Sequence, residues 1–360
     1  MNVLIASNKF NYGHLSGLMA WHQMFQTIGY DVYFFLDRQY KECLDEKKYK
    51  CLIDISKFKA IDYLIIFNIS TKDMGLIKKV KRNNPTVKII FIYHEPWRGL
   101  INEIKRFSKD PKNFIRQVGR VLFAIPVIKN SSIVVCPSLQ ALDFFNKNNN
   151  IRSYKATLFP LVFHDACINS DYKIQKQYFS FISTASRDKG FDTFIDFIKY
   201  AHKIDKDIKF QIYTSSDVTR SLDSEIESMM DEGSLKVVHK KGIPEDVMNK
   251  AYDESVCTWL VYRSSTQSGV LPKAFMWGSP CVATRVGVFG EVVDGKNGIL
   301  IDDMNNFSSI LNAFYEIRDN QIRFQRNARK TFENYYSASM RINDLRKILN
   351  IIGDDINDNN

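Results

Sequence analysis

Three residues in one predicted turn, and a small-residue step further along, could hold a phosphate group. Arg187 and Lys189-Gly190 lie in the sequence ISTASRDKGF, between a strand-like run and a helical pattern. Two cations beside a helix N-terminus counter the charge of a phosphorylated ligand without a metal ion. The alternative for this turn is a solvated pair of surface cations. We favour the phosphate role for Lys189 and leave both interpretations open for Arg187.

Ser268-Gly269 is the second candidate phosphate site, because it precedes a helical pattern that ends at Gly278. The first backbone N–H groups of a helix have no partner within the helix and lie at the positive end of its dipole. The amides of Ser268, Gly269 and Val270 are therefore predicted to face an anion. The alternative for Gly269 is a glycine needed only for packing.

His94 and Glu95 follow a continuous apolar run in IIFIYHEPW, where a strand is predicted to end. Site residues collect at the carboxyl ends of parallel strands. His94 could hydrogen-bond a substrate hydroxyl, and Glu95 is the leading carboxylate if the reaction needs a general base. Ordinary loop contacts remain the alternative for both residues.

The elements that position these residues alternate between strand and helix along the whole chain. Continuous rather than alternating apolar runs are typical of parallel strands covered on both faces. The sequence therefore predicts an α/β fold with two Rossmann-like, doubly wound domains and a ligand cleft between them. The predicted parts are an N-terminal domain at 1–164, a C-terminal domain at 165–337, and a helix with a disordered tail at 338–360 that packs back on the first domain. The loss of periodicity over 160–176 predicts the linker.

The stretch 265–303 carries the most specific pattern in the sequence. It contains a helix that ends in G-x-P, then E-x-V-x-x-G-x-N-G-x-L, and the matching residues are Gly278-Ser279-Pro280, Glu291, Val293, Asp294-Gly295, Asn297-Gly298 and Leu300. This stretch resembles the donor-site segment of glycosyltransferases with the GT-B fold, in particular the retaining family-4 enzymes. The resemblance covers the C-terminal half well and the N-terminal half mainly in architecture.

The resemblance implies roles for individual residues. Lys189-Gly190, with Arg187 or Thr184 at the arginine position, would bind the diphosphate of a nucleotide-sugar donor together with the amides at 268–270. The two acidic residues of the family fall on Ser265 and Lys273, so Lys273 would either add positive charge to the donor site or point to solvent. Glu291 matches the acid of the E-V-V segment, with capping of the following turn as its alternative.

The resemblance also gives roles to residues of the N-terminal half. Gly13 and His14 match in place a loop that faces the acceptor, and His94 lies near the sugar. We also place Trp97 and Arg98 on the acceptor side. His22 lies on an apolar helix face and is interpreted as a core histidine, and His164 and His239 have no partners in the sequence.

A cluster of positive charge distinguishes the segment 98–129. It holds eight of the 50 Lys and Arg residues and two acids, which gives a charge of +6 out of the net +10 of the chain. Apolar residues recur at helical spacing beside Arg116 and Arg120, as in helices that lie on anionic membranes. The alternative is an ordinary helix that covers the sheet. A nucleic-acid partner is not expected, because the aromatic residues have the spacing of a core and not of a stacking platform.

Composition sets further expectations. With 45% hydrophobic residues among 360, the chain can form two cores. No apolar run reaches 18 residues, and the first residues have the pattern of a strand and not of a signal peptide. Six cysteines without a C-x-x-C pair predict reduced thiols and a cytoplasmic location. The basic segment 98–129 adds the expectation of peripheral contact with the inner face of the membrane.

The sequence therefore predicts a glycosyltransferase that uses a nucleotide-sugar donor and a glycan or lipid-linked glycan acceptor, without a metal or other cofactor. The resemblance implies bacterial surface polysaccharide or lipid-linked glycan synthesis and a retaining outcome, with inversion through Glu95 or another base as an open variant. Two other readings stay open: a nucleotide-sugar epimerase, and an inactive scaffold or partner subunit, which is suggested by Ser265 and Lys273.

Overall fold

A computed structural model describes residues 1–45, 48–52, 54–55, 58, 60–107, 111–148, 155–167 and 176–353. The chain divides into two compact units, Met1–His164 with Tyr336–Asn360, and Asp165–Tyr335. The predicted linker lies partly outside the described residues. Lys109 of the basic segment and residues 354–360 of the predicted tail lie wholly outside them.

The first unit contains a six-stranded parallel sheet. Its strands are β1 (Asn2–Ser7), β2 (Asp31–Leu36), β3 (Tyr63–Ile66), β4 (Lys88–Ile92), β5 (Ile133–Cys136) and β6 (Ala156–Leu158). Their order is β2-β1-β3-β4-β5-β6, so the winding direction reverses between β1 and β3. The connecting helices are α1 (Leu15–Thr27), α2 (Arg38–Lys41), α3 (Asp73–Asn83), α4 (Leu100–Phe107), α5 (Pro111–Asn130) and α6 (Leu139–Asn148).

The continuous apolar runs explain why this sheet is central. Val3 and Ile5 of β1 belong to the core on one face, and Leu4 and Ala6 belong to the core on the other face. Successive strand residues point to opposite faces, so a strand that is covered twice needs apolar residues at every position.

The second unit repeats this architecture. Its strands are β7 (Tyr178–Ile182), β8 (Lys209–Thr214), β9 (Leu235–His239), β10 (Ser255–Leu260), β11 (Cys281–Thr284) and β12 (Gly298–Ile301). They are parallel in the order β12-β11-β10-β7-β8-β9, so β7 and β10 are neighbours at the point of reversal. The helices are α7 (Phe191–Ile204), α8 (Ser224–Asp231), α9 (Glu245–Asp253), α10 (Val270–Met276), α11 (Val288–Val292), α12 (Phe307–Asp319) and α13 (Gln321–Thr331).

The last described helix, α14 (Ile342–Gly353), belongs to the first unit. Its buried residues Leu345, Ile348 and Leu349 join the core formed by α1 and one face of the sheet. The predicted α/β class with two doubly wound parallel sheets is thus confirmed. Within the described ranges, none of the helices combines the length and apolar character that a membrane span requires.

Candidate functional site

The turn between β7 and α7 is held directly against the end of β10. Arg187–Lys189 form a 3₁₀ turn, and Gly190 follows in the left-handed conformation with φ 63°. A Cβ atom at Gly190 would lie 2.3 Å from the carbonyl oxygen of Val261. Both the conformation and the close approach require glycine here. The glycine of the predicted phosphate turn therefore brings that turn to the residues that follow β10.

Lys189 points into a small cluster of hydroxyl groups at this edge of the sheet. Its Nζ atom donates to Ser183 Oγ at 2.5 Å and lies 5.9 Å from the centre of the Tyr262 ring. The Tyr262 hydroxyl donates to the same Ser183 oxygen at 3.5 Å, and the Ser268 side chain also lies beside it. Burial raises the pKa of Tyr262 to about 12, so this phenol is a neutral donor. Lys189 and Ser268, predicted from separate stretches, are thus joined through two hydroxyl groups.

Arg263, which the sequence analysis did not select, fixes the same turn from β10. Its backbone N–H donates to Asp188 O at 2.8 Å, and its Nη1 atom donates to Arg187 O at 2.6 Å. Its guanidinium also bonds Asp192 and Thr193 of α7. The Arg187 side chain, in contrast, is exposed and has no ion-pair partner in the part of the chain that the structure describes. Arg187 is therefore a cation that remains available for an anionic ligand.

The amides at the start of α10 differ from the expectation. Ser268 is 7% exposed, and its Oγ atom accepts from the Val270 N–H at 3.2 Å. The Val270 amide is therefore engaged, because a serine hydroxyl readily bonds a backbone N–H two residues ahead. Gly269 has φ −75° and ψ −14°, which any residue can adopt. Its conformation alone does not explain a glycine at this position.

Lys273, expected to bring positive charge to the donor site, has a carboxylate partner. Its Nζ atom lies 2.9 Å from Glu245 Oε1, and the two side chains are 13% and 29% exposed. Glu245 is the first residue of α9 and was not selected from the sequence. The structure thus places a partly buried ion pair at this position and not a free cation.

The E-V-V-D-G-K-N-G segment is mainly a structural turn. Asp294 Oδ1 accepts from the N–H groups of Lys296 and Asn297. The Asn297 amide is buried and donates to Val292 O and Thr331 Oγ1. Glu291 lies on α11 and is exposed. Much of the recognisable pattern therefore encodes the connection into β12.

In the first unit, two predicted histidines meet at the reversal of the winding direction. The rings of His14 and His94 stack with centroids 4.7 Å apart. His94 Nε2 lies 2.8 Å from Phe67 O, and His14 Nε2 lies 3.1 Å from Asn11 Nδ2. The Nδ1 atoms of both rings are buried without a hydrogen-bond partner among the described residues. Burial lowers the pKa of His94 to about 4, and burial followed by the charge of His94 lowers the pKa of His14. Both rings are therefore neutral near pH 7.

The other predicted residues of this unit lie around the histidine pair in sequence but have separate contacts. Glu95 forms an ion pair with Arg120 Nη1 at 2.8 Å. Arg98 lies over the ring of Phe144 of α6, at 5.9 Å. Trp97 is half-buried.

The Gly13 N–H donates to Asn11 Oδ1 at 3.0 Å, so this amide is used to hold its own loop. His14 and His94 are thus the only two of the six residues predicted in this unit that the described contacts bring together.

Comparison with known proteins shows what the second unit is similar to. Residues 176–317 match the family described as glycosyl transferases group 1. No curated protein matches the sequence.

Several solved structures are similar over nearly the whole chain. A glycosyltransferase from Rickettsia africae has 13% identity and a TM-score of 0.67, over 100% of this chain and 99% of that one. HepE of Anabaena, solved with UDP and glucose, has 12% identity and a TM-score of 0.66, over 97% and 99%. Sucrose-phosphate synthase from Thermosynechococcus elongatus has 13% identity and a TM-score of 0.64, over 97% and 98%. The predicted GT-B fold and the resemblance to group 1 glycosyltransferases are confirmed.

Proposed function

We propose that this chain, whose second unit matches the group 1 glycosyl transferases, transfers a sugar from a nucleoside diphosphate sugar to a glycan or lipid-linked glycan. The observation that supports this most is the junction of Lys189 and Ser268 through Tyr262 and Ser183. It gathers a cation and neutral donors at the carboxyl edges of β7 and β10, where parallel sheets bind ligands. The solved complexes of HepE with UDP make a uridine nucleotide the first donor to test.

In this proposal the second unit stabilises the leaving group without a metal ion. The bond between the anomeric carbon and the donor phosphate breaks, and its electron pair remains on the diphosphate oxygen. Lys189 stabilises that negative charge, and Tyr262 keeps Ser183 and Ser268 in place beside it. The acceptor oxygen forms the new bond, and its proton passes to the departing phosphate or to another base.

A retaining outcome is the variant that we propose, on the basis of the family-4 resemblance. Inversion would need a base, for which Glu95 was the candidate. The ion pair between Glu95 and Arg120 would have to open before this carboxylate could reach an acceptor hydroxyl. Bacterial surface polysaccharide or lipid-linked glycan synthesis, inside the cell, is the context that we propose.

A panel of UDP-, GDP- and CMP-sugars tests the proposal through thermal stabilisation and slow donor hydrolysis. A ligand that binds only the folded chain raises its stability by about 2.7 kcal/mol at one hundred times Kd. Stabilisation by one nucleotide with release of free sugar supports a transferase. Conversion of the donor to an epimer would support the epimerase, and no response to any donor would support the inactive scaffold.

We also propose that the first unit contacts an anionic membrane surface through α4 and α5. Five of its large apolar residues are strongly exposed: Leu100, Ile104, Ile115, Leu122 and Phe123. Arg116 and Arg120, also exposed, lie one turn apart on α5. An exposed apolar face with arginines beside it has the character of an interfacial helix.

Flotation with vesicles tests this contact. The chain should bind vesicles that contain phosphatidylglycerol, bind phosphatidylcholine vesicles much less, and lose binding at high salt. Ile115→Ser with Leu122→Ser should weaken binding to the anionic vesicles. Lys203→Glu, on α7 of the second unit, is the control. Equal binding by the apolar variant and the unmodified chain would contradict the proposal.

A further inference from the structure

A pocket of about 470 Å³ opens in the first unit beside the end of β2. Small-molecule sites commonly have volumes of about 300–1,000 Å³. The pocket is lined by Asn8, which follows β1, by Leu36-Asp37 at the end of β2, and by one side of α3. It therefore lies at the carboxyl edge of a parallel sheet, where ligands bind in folds of this type.

The pocket joins an apolar wall to a basic rim. Phe35, Leu36, Ile55 and Leu76 supply the apolar wall, and Arg38, Lys72 and Lys79 supply the cations. Lys72 directly precedes α3, and Gly75 and Lys79 follow three and seven residues later, so all three lie on one side of the helix. A Cβ atom at Gly75 would contact nothing within 4 Å. Gly75 therefore leaves open space between the two lysines.

The charges of this rim are not balanced. Lys79 Nζ pairs with Asp54 Oδ1 at 3.2 Å. Asp37 Oδ1 accepts from the Gln39 N–H at 3.1 Å and so caps α2. Arg38 and Lys72 are exposed and have no ion-pair partner within the described ranges. Asp37 keeps its negative charge beside Arg38, so the three cations and two carboxylates of the lining leave one net positive charge for a ligand.

Asn8 gives the pocket a fixed edge. Its Nδ2 atom donates to Asp73 Oδ1 at 2.8 Å, and the Ser70 N–H donates to Asp73 Oδ2 at 2.6 Å. Asp73 is 1% exposed, so its carboxyl group acts as an anchor and is not a part of the rim. The side of the pocket next to β1 is thus held by hydrogen bonds to a buried carboxyl group.

We propose that this pocket binds a small organic anion, a phosphate or carboxylate carried on an apolar or ring-shaped body. Arg38 and Lys72 contact the anionic group, and the apolar wall contacts the body. The site shares no residue with the proposed diphosphate site and does not depend on the proposed transferase activity.

Phenyl phosphate is a suitable probe because it combines both features. Binding to the full chain is measured by calorimetry, with benzoate as the carboxylate form and phenol as the neutral form. Arg38→Met and Lys72→Met should each weaken phenyl phosphate binding about tenfold or more, as expected for a lost charged hydrogen bond. Lys78→Met, an exposed residue of the same helix that does not line the pocket, should leave the affinity unchanged. Circular dichroism checks that each variant is folded.

The outcomes separate this pocket from the diphosphate site. Lys189→Ala should not alter phenyl phosphate binding, whereas a loss in this variant alone would move the binding to the second unit and overturn the proposal. Equal affinity for phenol and phenyl phosphate would overturn the role of the cations. No saturable binding of phenyl phosphate or benzoate would overturn the site itself, whatever the donor panel shows.

Discussion

Replacement of Lys189 by alanine removes the cation on which the proposed donor site depends. Its Nζ atom carries three hydrogens, and one is donated to Ser183 Oγ at 2.5 Å. In the proposed site this ammonium contacts the diphosphate at the edge of the sheet, and the bond to Ser183 keeps it in position. The variant therefore tests one charge and leaves Gly190, which forms the turn, intact.

The expected loss follows from the strength of hydrogen bonds to charged groups. Such a bond contributes about 1.5–3 kcal/mol, which corresponds to a Kd about 10- to 150-fold higher. The larger value applies if two of the hydrogens contact the diphosphate. Since Lys189 is only half-buried, we expect a result nearer the middle of this range.

Calorimetry with UDP, or with the nucleotide that the donor panel identifies, measures this loss. Lys203→Ala is the matched control, because Lys203 lies at the end of α7, its side chain is 69% exposed and its partner is Glu225. The control should bind as the unmodified chain does. Equal affinity of Lys189→Ala and the control would refute the role of Lys189.

Three further variants test other parts of the structure. Gly190→Ala should lower the free energy of unfolding by more than the roughly 1–2 kcal/mol that a left-handed residue costs, because its Cβ would lie 2.3 Å from Val261 O. Urea unfolding measures this free energy, and a smaller loss would contradict the close packing. Arg329→Met should lower the free energy of unfolding by about 3 kcal/mol, because Arg329 is 6% exposed and bonds both oxygens of Asp165. A loss no greater than that of the exposed control Arg318→Met would contradict this prediction. His94→Gln should reduce the loss of stability between pH 7 and pH 5 by about 2 kcal/mol, and an unchanged pH dependence would contradict the burial of a neutral ring.

The sign of the His94 effect follows from its lowered pKa. The unfolded histidine takes up a proton near its ordinary pKa of 6.5, whereas the folded ring stays neutral down to about 4. Between these values the unfolded state binds more protons, so the contribution of His94 to stability is present above pH 6.5 and falls as the pH is lowered. Asp73 acts in the opposite direction, because burial raises its pKa to about 6. The comparison of unmodified and variant chains isolates His94 from this term.

The parts of the site that sequence reasoning could predict are those encoded locally. Lys189-Gly190 lies between a strand pattern and a helical pattern, and a glycine at such a junction indicates a tight turn of the backbone. Tyr262 and Arg263 were missed, because their roles arise from the pairing of β10 with β7, which are far apart in sequence. Their position directly after a buried apolar strand was the available signal.

Side-chain partners were the least predictable feature. The sequence placed Lys273 one helical turn beyond Gly269 but could not show that Glu245, 28 residues earlier, would reach it. The Val270 amide likewise was expected to be free, and the Ser268 hydroxyl engages it. Periodicity defines which face of an element is buried, whereas the partner of a polar group depends on the tertiary arrangement.

A crystal structure of the chain with bound UDP is the most direct test of the central proposal. We expect the diphosphate at the carboxyl edges of β7 and β10, with a phosphate oxygen within about 3 Å of Lys189 Nζ, as in charge-assisted hydrogen bonds. A diphosphate bound elsewhere, out of contact with Lys189, would contradict the proposal.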